Sequence, residues 1–197
     1  MNILAIDCCM KLTGVALNKD FEQLNLGRSQ SQELPRMTEN ILFRNNLKWQ
    51  DLDYIALTNG PGYFTGIRVG AAYAMGLAYS CGIKIIPVST LDLLAYGSCN
   101  KTLALIYSGH GFVYAKCKNY LDSGEYSREF ITSWLNENPD ADIISDEPER
   151  INMPDINILK VNPNLLSLIE IAKLGIENAV SPNELKILYF RAPQGMY

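Results

Sequence analysis

The run from Thr58 to Ala78, TNGPGYFTGIRVGAAYAMGLA, constrains this chain more than any other. It follows Tyr54-Ile-Ala-Leu-Thr58, a short apolar segment with the character of a buried strand. Gly60, Pro61 and Gly62 stop that strand, because two glycines and a proline allow a sharp turn at low steric cost. A helix then fits from Thr65, as its N-cap, to about Cys81, with Gly82 ending it. Gly66, Gly70, Ala74 and Ala78 recur every four residues and form one ridge along it. Glycine in a helix interior costs about 1 kcal/mol against alanine. The spacing therefore predicts that something packs closely on the ridge, with a helix of another subunit as the expected occupant.

The rest of the chain alternates strands and helices. Residues 3 to 7 and 13 to 18 read as strands. A helix begins near Ser31, with Pro35 in or near its first turn and Leu34, Met37 and Ile41 on one face. Residues 84 to 88 form a strand, and Leu91, Leu94 and Ala95 mark a helix. Residues 102 to 107 and 112 to 118 alternate around Ser108-Gly-His-Gly111 as a hairpin. Beyond it lie a helix at 129 to 135, a strand at 142 to 145, a loop at 148 to 154 and a strand at 156 to 161. A last helix opens at Asn162-Pro163 and carries Leu165, Leu168, Ile169 and Ala172. A second start at the hairpin suggests two related α/β lobes, residues 1–98 and a smaller 99–197.

Composition removes several functions. With 197 residues, 48% hydrophobic and 19% charged, the chain has an ordinary globular make-up. No apolar run approaches the ~20 residues that span a bilayer, and Met1 to Asp7 lacks a signal-peptide pattern, so a cytoplasmic protein without membrane contact is expected. A net charge of −4 with scattered lysines and arginines argues against gripping RNA alone. The five cysteines include no Cys-x-x-Cys pair, which fits reduced, buried thiols. The single histidine, His110, reads as a solvated turn residue, and it excludes chemistry that needs a histidine pair.

Gly60-Pro61-Gly62-Tyr63-Phe64-Thr65-Gly66-Ile67-Arg68 resembles the GPGxFTGxR segment of the TsaB family. Ile3 to Asp7 resembles that family's first strand, Leu34-Pro35 the start of its first interface helix, and Pro87 to Leu91 its next strand-to-helix junction. Gly111 to Ala115 resembles its GEVYAA hairpin, and Tyr189-Phe190-Arg191 its YLR. The resemblance implies an actin-like, Hsp70-like, sugar-kinase-like (ASKHA) α/β fold of two lobes, the second reduced. It also implies a role without catalysis in making threonylcarbamoyladenosine beside the tRNA anticodon. There TsaC makes threonylcarbamoyl-adenylate, the catalytic TsaD transfers the threonylcarbamoyl group, and the ATPase TsaE joins. TsaB pairs with TsaD; a self-associating domain, pairing through the same face when TsaD is absent, is a separate reading of this chain.

By the same resemblance the partner-binding residues are Leu34, Met37 and Ile41 on the first helix and Gly66, Gly70, Ala74 and Ala78 on the second. Gly70→Leu would then break the heterodimer in a folded chain. Arg68 has two readings, a carboxylate on a partner or a cap on the loop below it. Asp7 stands where active ASKHA proteins place an acid that organises metal or phosphate. The loop after it, Cys8-Cys9-Met10-Lys11-Leu12, has no hydroxyl before Thr13, so phosphate is poorly served and a strand-end aspartate bonded to nearby N–H groups is expected. No cofactor or metal is expected in the isolated chain, with ATP or ADP only in the assembled complex and tRNA contact only through it. A stand-alone ATP-dependent ASKHA enzyme, such as a small-molecule kinase, is the competing reading.

Overall fold

The alternation builds two five-stranded sheets in a computed structural model that describes residues 1–98 and 101–190. The first sheet contains β1 (Ile3–Asp7), β2 (Thr13–Leu17), β3 (Asp20–Leu24), β4 (Tyr54–Thr58) and β5 (Lys84–Val88), in the order β3-β2-β1-β4-β5. β1, β2 and β3 form an antiparallel meander, while β4 and β5 run parallel to β1. Every residue of β1 is buried, as its unbroken apolar run requires when both sheet faces are covered.

Helices α1 (Gln30–Arg44) and α2 (Phe64–Cys81) cover one face. Leu34, Met37 and Ile41 from α1, and Ala74 and Ala78 from α2, pack there on Leu4, Ile6, Ile55 and Leu57. Gly82 stops α2 at φ 68°, the left-handed conformation that glycine adopts cheaply.

The second sheet repeats the first. β6 (Thr102–Gly109), β7 (Phe112–Cys117) and β8 (Leu121–Ser127) form a meander, and β9 (Asp142–Ser145) and β10 (Leu159–Lys160) lie parallel to β6, in the order β10-β9-β6-β7-β8. His110 and Gly111 turn the first hairpin at φ 49° and 86°, the left-handed pair that a two-residue turn demands. Helix α4 (Arg128–Glu137) and the single turn α5 (Pro148–Ile151) cover the outer face through Ile131, Trp134 and Ile151.

Between the sheets lie α3 (Thr90–Leu94) and α6 (Leu165–Leu174), whose Leu91, Leu94, Leu165, Leu168, Ile169 and Ala172 make the central core. α6 packs on β1, β2, β4 and β5, so the chain returns to the first lobe after building the second. Val180 then bonds to Ile85, and Leu188 to Asn59. A boundary at 98/99 separates the two sheets but not the packing.

Several local expectations change. The edge strands β3 and β8 are additional to those read from the sequence. Ser29, not Ser31, precedes α1, and Pro35 lies in its second turn; Ser31, whose carbonyl loses the proline's missing bond, is solvent-exposed. Thr65 lies inside α2, after Tyr63 at the N-cap. The loop expected at 148 to 154 includes α5, and the strand expected at 156 to 161 shrinks to β10. Arg191 and Cys99 lie outside the described residues.

Candidate functional site

The carboxyl ends of β1, β4 and β9 converge where the two sheets face each other. Asp7, at the end of β1, is fully buried. Its Oδ1 accepts hydrogen bonds from the Thr58 hydroxyl at 2.5 Å and the Cys9 N–H at 3.0 Å, whereas Oδ2 has no partner. Burial pushes the Asp7 carboxyl up to about 6, against the pull of Thr58 and Cys9 and with a further push from Asp146. The Cys9 thiol donates to the Thr58 carbonyl at 3.2 Å and is pushed up to about 12, first by burial and then by Asp7. Burial raises the Cys8 thiol as well. Both are poor nucleophiles at neutral pH.

The first loop closes directly on α2. The Tyr63 N–H donates to the Cys9 carbonyl at 2.8 Å. A Cβ on Gly62 would stand 2.1 Å from the Cys9 carbonyl oxygen, and one on Gly66 only 1.9 Å from that of Cys8. A Cβ on Gly70 would meet Cys8 Cβ at 3.2 Å. The loop thus lies against the glycine side of α2's first turns, while Tyr63, Phe64 and Thr65 at the helix start are exposed.

That packing places the expected docking residues against the chain's own core. Leu34, Met37, Ile41, Ala74 and Ala78 have at most 2% of their surface exposed, and Gly66 and Gly70 are buried as well. The ridge meets the first loop and the sheet of its own chain, and the seven are buried in it, with Leu34 and the exposed Arg68 lining the groove between α1 and α2. Gly70→Leu would press on Cys8 and Leu57 before it reached any partner. Arg68 is exposed, and its guanidinium lies 4.0 Å from the centre of the Phe64 ring. The sequence shows that the four small residues share a face; it does not show which body that face meets.

The opposite side of α2 presents Arg68, Ala72, Gly76 and Tyr79, with Tyr79 83% exposed. A Cβ on Gly76 would meet nothing within 4 Å. An apolar groove of about 340 Å³ runs between the helices, lined by Ser31, Pro35, Val69, Ala72 and Tyr73.

A larger cavity of about 850 Å³ opens at the lobe junction, lined by Met10, Lys11, Gln30, Tyr63, Thr65 and Glu147. The Tyr63 hydroxyl donates to Glu147 Oε2 and accepts from Arg150 Nη1. Sequence reading passed over Tyr63, Asp146, Glu147 and Arg150. The available signal was positional: Asp146 and Glu147 follow β9 as Asn59 and Gly60 follow β4. His110 is exposed in its turn, and among the described residues no three His, Cys, Asp or Glu side chains converge to hold a metal.

Residues 25–133, more than half of the chain, match the family model described as TsaD: tRNA N6-adenosine threonylcarbamoyltransferase. The tRNA threonylcarbamoyladenosine biosynthesis protein TsaB of Escherichia coli is 34% identical in an alignment of 152 positions that covers 72% of this chain and 62% of that protein. The protein of the same name from Buchnera aphidicola of Schizaphis graminum is 29% identical in an alignment of 198 positions that covers 95% of this chain and 87% of its own. The chain belongs to the TsaB/YeaZ family, within the wider TsaD group. A solved Pseudomonas aeruginosa structure, described as similar to the peptidase YeaZ, superposes with a TM-score of 0.78 over 96% of this chain and 99% of that one, at 22% identity. The two five-stranded sheets thus match the fold of that structure and are consistent with a two-lobed ASKHA fold. No helix of the described residues is long and apolar enough to cross a membrane.

Proposed function

We propose that this chain is a non-catalytic subunit of the tRNA threonylcarbamoyladenosine-modifying assembly, docking on TsaD through the outward faces of α1 and α2 and supporting its activity, with TsaE joining. The observation that carries this reading is the division of α2 into two faces. The inner one is spent on Cys8, Cys9 and the sheet, while Ala72, Gly76 and Tyr79 stand open beside an apolar groove. Small exposed residues next to a large aromatic one suit close helix packing across an interface. Both relatives are tRNA threonylcarbamoyladenosine biosynthesis proteins by name, which favours that pathway here.

The first loop supports a role without chemistry of its own. It offers phosphate no hydroxyl before Thr13, and both thiols are buried with raised pKa. In this reading ATP or ADP enters only with the assembled complex, and tRNA is met only through it. A free-standing kinase remains the alternative; tight binding of ATP and magnesium by the isolated chain in calorimetry would favour it.

Ala72→Arg places a long cation on the open face, where a surface change costs the fold no more than about 0.5 kcal/mol. Size-exclusion of the variant with TsaD should show the heterodimer lost while the subunit keeps its unfolding midpoint. An undiminished complex refutes docking through this face. Sedimentation over a range of concentrations, with and without TsaD, separates exchange of partners from permanent self-pairing.

A further inference from the structure

The mouth of the lobe junction is spanned by side chains from both sides. Lys11 and Tyr63 come from the first lobe, and Tyr107, Asp146, Glu147, Glu149 and Arg150 from the second. Glu147 is the centre of the set, with 8% of its side chain exposed. Its Oε2 accepts from the Tyr63 hydroxyl and, at 3.4 Å, from Arg150 Nη1; its Oε1 lies 3.7 Å from Lys11 Nζ. Arg150 also donates to the Tyr63 hydroxyl and lies with its guanidinium carbon 4.1 Å from the Tyr107 ring centre. Lys11 adds its N–H to Asp146 Oδ2 at 3.4 Å and its ammonium to Glu149 at 3.6 Å.

We infer that these residues form a clasp which holds the two lobes closed with the chain's own side chains, in the place where a cleft protein of this shape would close on a ligand. The physical reason is that a nearly buried carboxylate must keep its partners, and two of the groups around Glu147 lie on elements that leave it if the lobes part, Lys11 on the first loop and Tyr63 before α2, while Arg150 stays with it on α5. Opening the cleft strips Glu147 of Lys11 and Tyr63 together. The tyrosine hydroxyl is the pivot, since it accepts from Arg150 while donating to Glu147. The clasp concerns closure of the lobes, and it stands or falls independently of whether α1 and α2 dock on TsaD.

Hydrogen exchange followed by mass spectrometry on the full chain tests this, comparing wild type with Tyr63→Phe and Glu147→Gln. The expected result is at least ten-fold faster exchange in the segments around 8 to 11 and 145 to 151, on the two sides of the clasp. Exchange in β1, β4 and α1 should not change, because a latch governs local opening and leaves the cores intact. Tyr63→Phe keeps the ring and removes one oxygen, so it carries the test if Glu147→Gln does not fold. Unchanged rates in both segments would overturn the inference. So would acceleration spread evenly through both lobes, or the failure of both variants to fold, since either would make these residues part of the general packing.

Discussion

The two halves of the molecule share a strand plan and differ in what joins its last two strands. In the first half an 18-residue helix, α2, links β4 to β5, and β5 has five residues. In the second, a four-residue turn of helix, α5, links β9 towards a two-residue β10. The long crossover gives the first half a helix with two working sides, one against its own first loop and one towards solvent. The short crossover leaves the second half nothing equivalent, so Ile151 and Met153 complete its outer core from a turn and a loop. The difference teaches that a shared sheet topology leaves binding capacity open, and that the length and lining of one crossover decide it.

Steric changes at the first crossover should break the comparison most severely. In Gly66→Ala the new Cβ would stand 1.9 Å from a backbone oxygen, which cannot move without displacing the first loop. A loss of about 4 kcal/mol is expected, at the high end for a single methyl. Gly76→Ala, on the solvent side of the same helix, meets open space and should gain about 1 kcal/mol from helix propensity. Urea unfolding of both variants measures the contrast. Equal effects would mean that the two sides of α2 are not distinct.

Asp7 sharpens the comparison through pH. Its folded value of about 6 lies above the ordinary 3.8, so the fold favours the neutral carboxyl. The stability this group contributes is fully present below about pH 4 and is lost as pH rises through 6, a change of about 3 kcal/mol. Asp146 at the end of β9 is shifted in the same direction by burial and adds to the slope. Unfolding midpoints taken from pH 4 to pH 7 should fall for the wild type and fall much less for Asp7→Asn. Parallel curves would exclude Asp7 as the cause.

The second half offers a smaller effect. Ser127 caps α4 by accepting from the Phe130 N–H at 3.1 Å. Ser127→Ala should cost about 1 kcal/mol, and fluorescence of Trp134, packed on the same helix, would follow the loss.

Much of this architecture was legible in the residues. β1 and β4 are short apolar runs, and Gly82 and the His110-Gly111 turn sit where left-handed backbone is required. β3 and β8 escaped notice because they are edge strands whose polar residues blur the two-residue alternation. The clasp was hidden for a different reason: Tyr63 and Glu147 lie 84 positions apart, and only the folding of one lobe against the other brings them together. The orientation of the glycine and alanine ridge was open too. A four-residue period identifies a face and leaves unstated whether a loop, a sheet or a second subunit meets it.

Cysteine labelling at two neighbouring positions on α2 tests the division of that helix most directly, with the wild type as the background for native thiols. Ala72→Cys should react rapidly with a maleimide in the isolated chain and slowly once TsaD is saturating, while Ala74→Cys should stay unreactive in the native state throughout. Equal labelling of the two positions, or an Ala72→Cys rate untouched by TsaD, would contradict the account.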